Sequence, residues 1–232
     1  MSTQAKAITP RIVLQAFLIV VVFPFLPLII SGLWDWWEAW VYAVINIAGF
    51  VLSRALAARQ NPDILQERAR SIDLVDAKPW DKVLAPMIAV GSLLIPAVAG
   101  ADRLLGWSTP FTLTAKVSAL IVILLGYLLG SWALIENRFF SGVVRIQKDR
   151  GHTVVSSGPY RFIRHPGYAG ALWAYLATPI FLDSIWAFIP AALLISILIV
   201  RTMLEDKTLQ QELEGYKEFT QKTRYRLFPG IW

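Results

Sequence analysis

Apolar positions along the chain are gathered into blocks, without the period of about 2 or 3.6 that marks a half-buried strand or a surface helix. Six blocks, 11–33, 36–58, 83–101, 113–136, 167–182 and 185–203, stand out. Most approach the length of about 20 apolar residues that a helix needs to cross a bilayer. The fifth is short, of a length that suits a half-span. The pattern predicts an all-α, polytopic integral membrane helix bundle of about six spans. Between the second and third blocks, residues 59–82 mix both charge signs with apolar residues, as a short helix lying at the membrane interface does. No catalytic role is assigned to that segment. Beyond the sixth block Leu209, Leu213, Tyr216 and Phe219 recur among polar neighbours at the spacing of an amphipathic helix, expected to continue the last span. The segment from Arg224 to Trp232 is then expected to turn back against the membrane face.

Composition agrees with a membrane chain. Of 232 residues 56% are hydrophobic and 16% charged, against about 45–50% and about 25% in a soluble domain. The absence of cysteine excludes disulfides, thiolate metal sites and cysteine nucleophiles. No small-x-small cleavage site ends the first block, so it is expected to be retained. The net charge of +6 would suggest nucleic acid in a soluble chain, but in a membrane chain the distribution matters more. Of the 22 Lys and Arg, 2 lie at the N-terminus (Lys6, Arg11), 6 from Arg54 to Lys82, 6 from Arg138 to Arg164, and 6 from Arg201 to Arg226. If six spans alternate, all of these share one side and only Arg103 and Lys116 face the other. The positive-inside rule then places both termini and both long loops in the cytoplasm. Trp34, Trp36, Trp37, Trp40, Trp107 and Trp186 are expected as interfacial anchors. Gly126 and Gly130, and the ridge Gly170, Ala174 and Thr178, are read as packing surfaces between helices. With no internal repeat and no linker, 1–232 is expected to be a single membrane domain, a four-span bundle over 1–136 followed by a chemical half over 137–232.

The unusual residues concentrate between Gly151 and Tyr168, a run that holds both histidines, His152 and His165. Pro166 suits the first position of a helix and drives His165 into an extended, cap-like conformation. The start of the fifth span would thus present backbone N–H groups to an anion, such as the carboxylate of an amino-acid-like cofactor. Arg201 and Glu205, one helical turn apart, would face it. Either alone reads as a snorkelling anchor; beside the loop they offer a cation for a carboxylate and an acid for an amine. The pattern Gln147…His152…Val154-Val155-Ser156-Ser157-Gly158-Pro159-Tyr160…Arg164-His165-Pro166-x-Tyr168-x-Gly170, followed by Arg201-x-x-x-Glu205, Tyr216 and Arg226-x-x-Pro229, resembles the isoprenylcysteine carboxyl methyltransferase family and its phospholipid methyltransferase relatives. The resemblance covers about residues 137–232; the first four spans match only as generic apolar helices. It implies S-adenosylmethionine as cofactor, S-adenosylhomocysteine as product, and a cytoplasmic site formed by the loop and the last helix hairpin. Cofactor contacts are implied from Gln147, His152, Val154, Gly158, Tyr160, Arg164, His165, Pro166, Tyr168 and Glu205. The chain has no G-x-G, in keeping with a site that is not a Rossmann domain. Asp206, where many members carry a second Glu, and Phe219, at a common Tyr position, depart from the family pattern.

The partners implied are a lipid or lipidated acceptor and membrane lipids. Methyl transfer to a carboxylate needs no general base, because the nucleophile is ionised at neutral pH, and a water-poor site favours a reaction that disperses charge. Arg201 or Arg145 is expected to orient the acceptor. An ethanolamine amine or a small thiol as acceptor would need a base, a carboxylate or His152. Two histidines at this spacing without cysteine fit no common zinc site, so no metal is expected, and no nucleic acid. The rival of another class is a transporter or a noncatalytic scaffold. A transporter would favour repeats and midspan ionisable residues, where these spans are nearly free of charge at their centres.

Overall fold

The computed structural model describes residues 17–70 and 76–232. Lys6, Arg11 and the first residues of the first apolar block lie outside them. Within that block Pro24 and Pro27 each remove a backbone donor, and the chain runs as three short pieces. These are a π-helical turn at Leu18–Val22, a 3-10 turn at Phe23–Phe25 and α1 (Leu26–Ser31), which ends at Gly32 with φ 67°. Four later blocks form α2 (Trp37–Gln60), α4 (Asp81–Leu105), α5 (Leu113–Glu136) and α7 (Phe188–Glu212), each long and apolar enough to cross a membrane. The fifth block gives α6 (Pro166–Phe181), whose 16 residues rise about 24 Å, short of a bilayer core of about 30 Å. In place of six equal spans, the described residues therefore hold four helices of spanning length and two shorter apolar segments. The interfacial segment contains the short helix α3 (Ile64–Arg70), and among the described residues there is no strand.

The tail differs from the expected continuous helix. α7 stops at Glu212, the chain turns through Gly215 at φ 80°, and α8 (Tyr216–Lys222) follows. The apolar face survives the break, for Leu209, Leu213, Tyr216 and Phe219 pack together with Tyr160 and Ala133. α5 and α6 pack backbone to backbone, and a Cβ added to Gly126 or to Gly170 would run into the carbonyl oxygen of the other. Leu28, Trp36, Ala39, Ile95, Ile123, Phe181 and Leu194 bring α1, α2, α4, α5, α6 and α7 into one core. Trp36 thus belongs to the interior, 2% exposed beneath the Arg103 guanidinium, unlike the exposed Trp34, Trp37, Trp40, Trp107 and Trp186. At that end of the bundle Lys116 binds Glu38 and Asp183, and Asp183 accepts from the Phe111 N–H at 2.7 Å. Asp102 accepts from the Ser108 and Ser184 hydroxyls at 2.6 and 2.5 Å. These buried pairs tie the α6–α7 link to α2, α4 and α5.

Candidate cofactor and acceptor site

At the other end the loop between α5 and α6, the first turn of α6, the last turns of α7, and α8 enclose a half-open cleft. The loop is stiffened from within. Gln147, 1% exposed, donates from Nε2 to the Phe139 carbonyl at 2.6 Å and accepts from Arg150. His152 lies against the Phe139 ring, centroids 4.5 Å apart, and its Nδ1 faces the Gln147 N–H at 3.3 Å. That contact makes Nδ1 the acceptor and leaves the ring proton on Nε2. Burial, with the charges of Arg145 and Arg150, pushes the His152 imidazole down to about 4, so it is neutral at physiological pH.

Arg145 lines the cleft and forks onto Glu67 of α3 at 2.9 and 2.7 Å, with Asp149 at 2.9 Å. The bond to Glu67 raises the Arg145 guanidinium, and the same pairing outweighs burial to hold Glu67 below its ordinary range. Tyr160 accepts from Asn137 Nδ2 at 3.2 Å, and burial keeps its phenol protonated. Arg164 forks onto Asp206 at 2.8 and 3.1 Å and donates from Nη1 to the carbonyls of Thr223 and Arg224 at 2.9 and 2.6 Å. Asp206 is fully buried and also meets His165 Nε2 at 3.3 Å, Gln210 at 2.8 Å, the Tyr216 hydroxyl at 3.1 Å and Arg226 at 2.9 Å. The C-terminal segment is strapped across the same place, the Arg164 and His165 N–H groups donating to the Tyr225 and Arg226 carbonyls, both at 2.9 Å.

His165 occupies the N-cap position of α6 at φ −127°, ψ 62°, short of the extended conformation expected, and its side chain makes no capping bond. Tyr168 and Ala169 turn their N–H groups back onto the His165 carbonyl, both at 3.1 Å. Pro166 has none to give, and the N–H of Gly167, which lines the cleft, has no partner among the described residues. The Tyr168 ring stacks on His165, centroids 5.8 Å apart, and its hydroxyl donates to Glu205. Glu205 makes no ion pair among the described residues, so the cleft retains a carboxylate suited to an amine or a sulfonium.

Of the residues singled out in the sequence, Arg145, Gln147, His152, Val154, Tyr160, Arg164, His165, Tyr168 and Glu205 line this one cleft. Pro166, Gly158 and Arg201 stand behind it. Pro166 is buried at the first position of α6. Gly158, at φ 54°, packs on the Glu136 carboxylate. Arg201 forks onto Asp81 at 2.7 and 2.9 Å, donates to the Gly142 carbonyl at 2.9 Å, and lies 5.5 Å from the centre of the Tyr168 ring. Asp81 also accepts from the Val144 N–H at 2.6 Å. Of the carboxylates that orient these arginines, Glu67 and Asp81 were missed in the sequence, and Asp206 stood out only as a departure from the family pattern, with no partner assigned to it. Their one signal was a motif rich in arginine and poor in acid.

Residues 119–211 match the isoprenylcysteine carboxyl methyltransferase (ICMT) family. A probable protein-S-isoprenylcysteine O-methyltransferase of Oryza sativa subsp. indica is 27% identical over 143 residues, 59% of this chain and 67% of the relative. The protein-S-isoprenylcysteine O-methyltransferase of Saccharomyces cerevisiae is 25% identical over 158 residues, 68% of this chain and 62% of the relative. Residues 119–211, which supply most of the cleft walls from α5 through the loop and α6 to the last turns of α7, thus match the isoprenylcysteine carboxyl methyltransferase family, while Tyr216 and Arg226-x-x-Pro229 of the motif lie beyond the match.

Proposed function

We propose that this chain is an S-adenosylmethionine-dependent integral membrane methyltransferase that esterifies the carboxylate of an isoprenylcysteine-like or other lipidic acceptor. The observation that carries this reading is the single cleft that gathers the loop motif, the start of α6 and Glu205 at the end of a membrane-length helix. The names of the relatives in rice and yeast support the acceptor class. The distribution of Lys and Arg supports a cytoplasmic site with both termini on that side, around a bundle that the two shorter apolar segments bring to about six membrane-inserted elements.

When bound, S-adenosylmethionine supplies a methyl group on a positively charged sulfur. Glu205, held by Tyr168, is the acid that faces this charge or the amine, and the Gly167 N–H serves the amino-acid carboxylate. Gln147, His152, Val154, Tyr160, Arg164 and His165 complete the walls, with Phe139, Tyr216 and Phe219 excluding water. Gly158 and Pro166 shape the backbone behind them. Arg145 and Arg201, each anchored on a carboxylate, position the acceptor side, Arg201 through the Tyr168 ring. An imidazole at about 4 is a weak base at neutral pH. His152 is therefore a poor base for an ethanolamine amine or a thiol, whereas an acceptor already ionised, a carboxylate, needs none.

The test is purified protein with radiolabelled S-adenosylmethionine, offered N-acetyl-S-farnesylcysteine, phosphatidylethanolamine and a small thiol in parallel. Base-labile label in the first is expected, and Glu205→Gln should weaken cofactor binding by about tenfold, the cost of one charge-assisted contact. Absence of cofactor binding and of product on all three acceptors would overturn the reading in favour of a scaffold or transporter.

A further inference from the structure

Every arginine that lines the cleft or stands behind it is forked onto a carboxylate: Arg145 on Glu67, Arg164 on Asp206, Arg201 on Asp81. Arg68, on α3, is the contrast. Its side chain is partly buried, and its Nη1 is wholly buried with no hydrogen-bond partner. Its neighbour Glu67 is taken by Arg145. The Arg68 guanidinium lies 5.6 Å from the centre of the Phe140 ring, and Phe140 lines the cleft and presses on Gly167 at the start of α6. Its electrostatic neighbours are Arg201 and Tyr168, so a second cation repels it where burial already disfavours its charge. Arg54 of α2, close enough to add to that repulsion, donates to the Phe50 carbonyl and the Ser53 hydroxyl at 3.4 and 3.3 Å and has no carboxylate partner among the described residues. A buried donor left without an acceptor carries its full desolvation cost, and a guanidinium is shaped for a carboxylate. The position calls for an anion that the described residues do not supply.

We propose that Arg68 receives the carboxylate of the methyl acceptor. The inference rests on the reading of the cleft as a carboxyl methyltransferase site and names the group that holds the nucleophile. The orphan Nη1 binds one carboxylate oxygen and leaves the other to attack. In that step the oxygen–methyl bond forms and the methyl–sulfur bond breaks. The electron pair passes to sulfur, a neutral ester and a neutral thioether result, and no proton moves. Phe140, whose ring centre lies 5.6 Å from this guanidinium, lines the cleft, so the acceptor's polar end arrives there from the α3 side.

Steady-state kinetics of the full chain in lipid nanodiscs test this, with N-acetyl-S-farnesylcysteine as substrate and its carboxamide as a neutral competitive inhibitor. In Arg68→Met the KM for the acid should rise at least about tenfold, as for the loss of a charge-assisted bond. The carboxamide inhibition constant and the affinity for S-adenosylmethionine should stay within about twofold. Arg68→Lys should recover much of the loss. Removing an unpaired buried charge should leave the melting temperature equal or higher, unlike removal of a paired arginine. An unchanged KM, including one accompanied by loss of a co-purifying phospholipid, overturns the proposal. So does a carboxamide constant that rises in step with the KM, the mark of altered packing. If wild type does not turn the acid over, calorimetry decides. Weaker binding of the acid to Arg68→Met then upholds the inference while the enzymatic reading falls, and equal or absent binding sinks both.

Discussion

Asp206 is a single carboxylate in contact with Arg164, His165 and Arg226, and it holds two helices and the C-terminal segment in one arrangement. The motif made the arginines and histidines legible, because their types and spacing are local. Their acidic partners were not, because Glu67 lies 78 positions before Arg145 and Asp81 lies 120 before Arg201. Nothing within one sequence links residues so far apart. His152 carries a pH prediction. In the unfolded chain it takes a proton below about 6.5, whereas in the folded loop burial and two arginines delay protonation to about 4. Between these values the unfolded state binds more protons, so stability rises with pH across the window and is complete above it. Thermal melts in detergent should show a melting temperature that falls as pH drops from 6.5 towards 4, and His152→Gln should flatten that slope. An unaltered slope would place the acid sensitivity elsewhere. Glu67, whose folded value is depressed, contributes stability that is present above about 4.5 and is lost lower down, as pH falls through that depressed value.

The helices show what apolar blocks do and do not encode. Block order and most boundaries were legible, since composition over twenty residues is a strong signal. The interruptions were not. Two prolines broke the first block, and Gly215 broke the tail while its apolar spacing carried on across the turn. The glycines of α5 and α6 were read as packing, and their approach sets how far the short α6 can stand from its neighbour. Gly170→Val should force the two backbones apart and cost about 1–3 kcal/mol or more, as overpacking does. Circular dichroism melts against the wild type measure it, and an unchanged melting temperature would mean that this contact is slack. The interfacial segment shows the opposite failure. Its mixed composition gave no hint that α3 supplies the Glu67 carboxylate that holds Arg145 in the cleft wall.

Across the whole molecule the polar groups divide between two ends. One holds the cleft, and the other holds Lys116 between Glu38 and Asp183, with 11% of the lysine side chain exposed. Lys116→Met would leave two buried carboxylates facing each other without their cation. It should cost about 3–5 kcal/mol of stability. Because the site lies at the far end of the bundle, kcat/KM for the acceptor should stay within about twofold of wild type at temperatures where both are folded. A large fall there would show that the two ends are coupled. The C-terminal strap has a consequence in time. The carbonyls that hold Arg164 come from Thr223 and Arg224, 59 and 60 positions downstream. A chain leaving the ribosome has therefore completed the four membrane-length helices before the Thr223 and Arg224 peptide groups emerge. Until those groups arrive, the arginine that anchors the motif has only part of its lodging, and the newborn protein sits in its bilayer without a finished chamber.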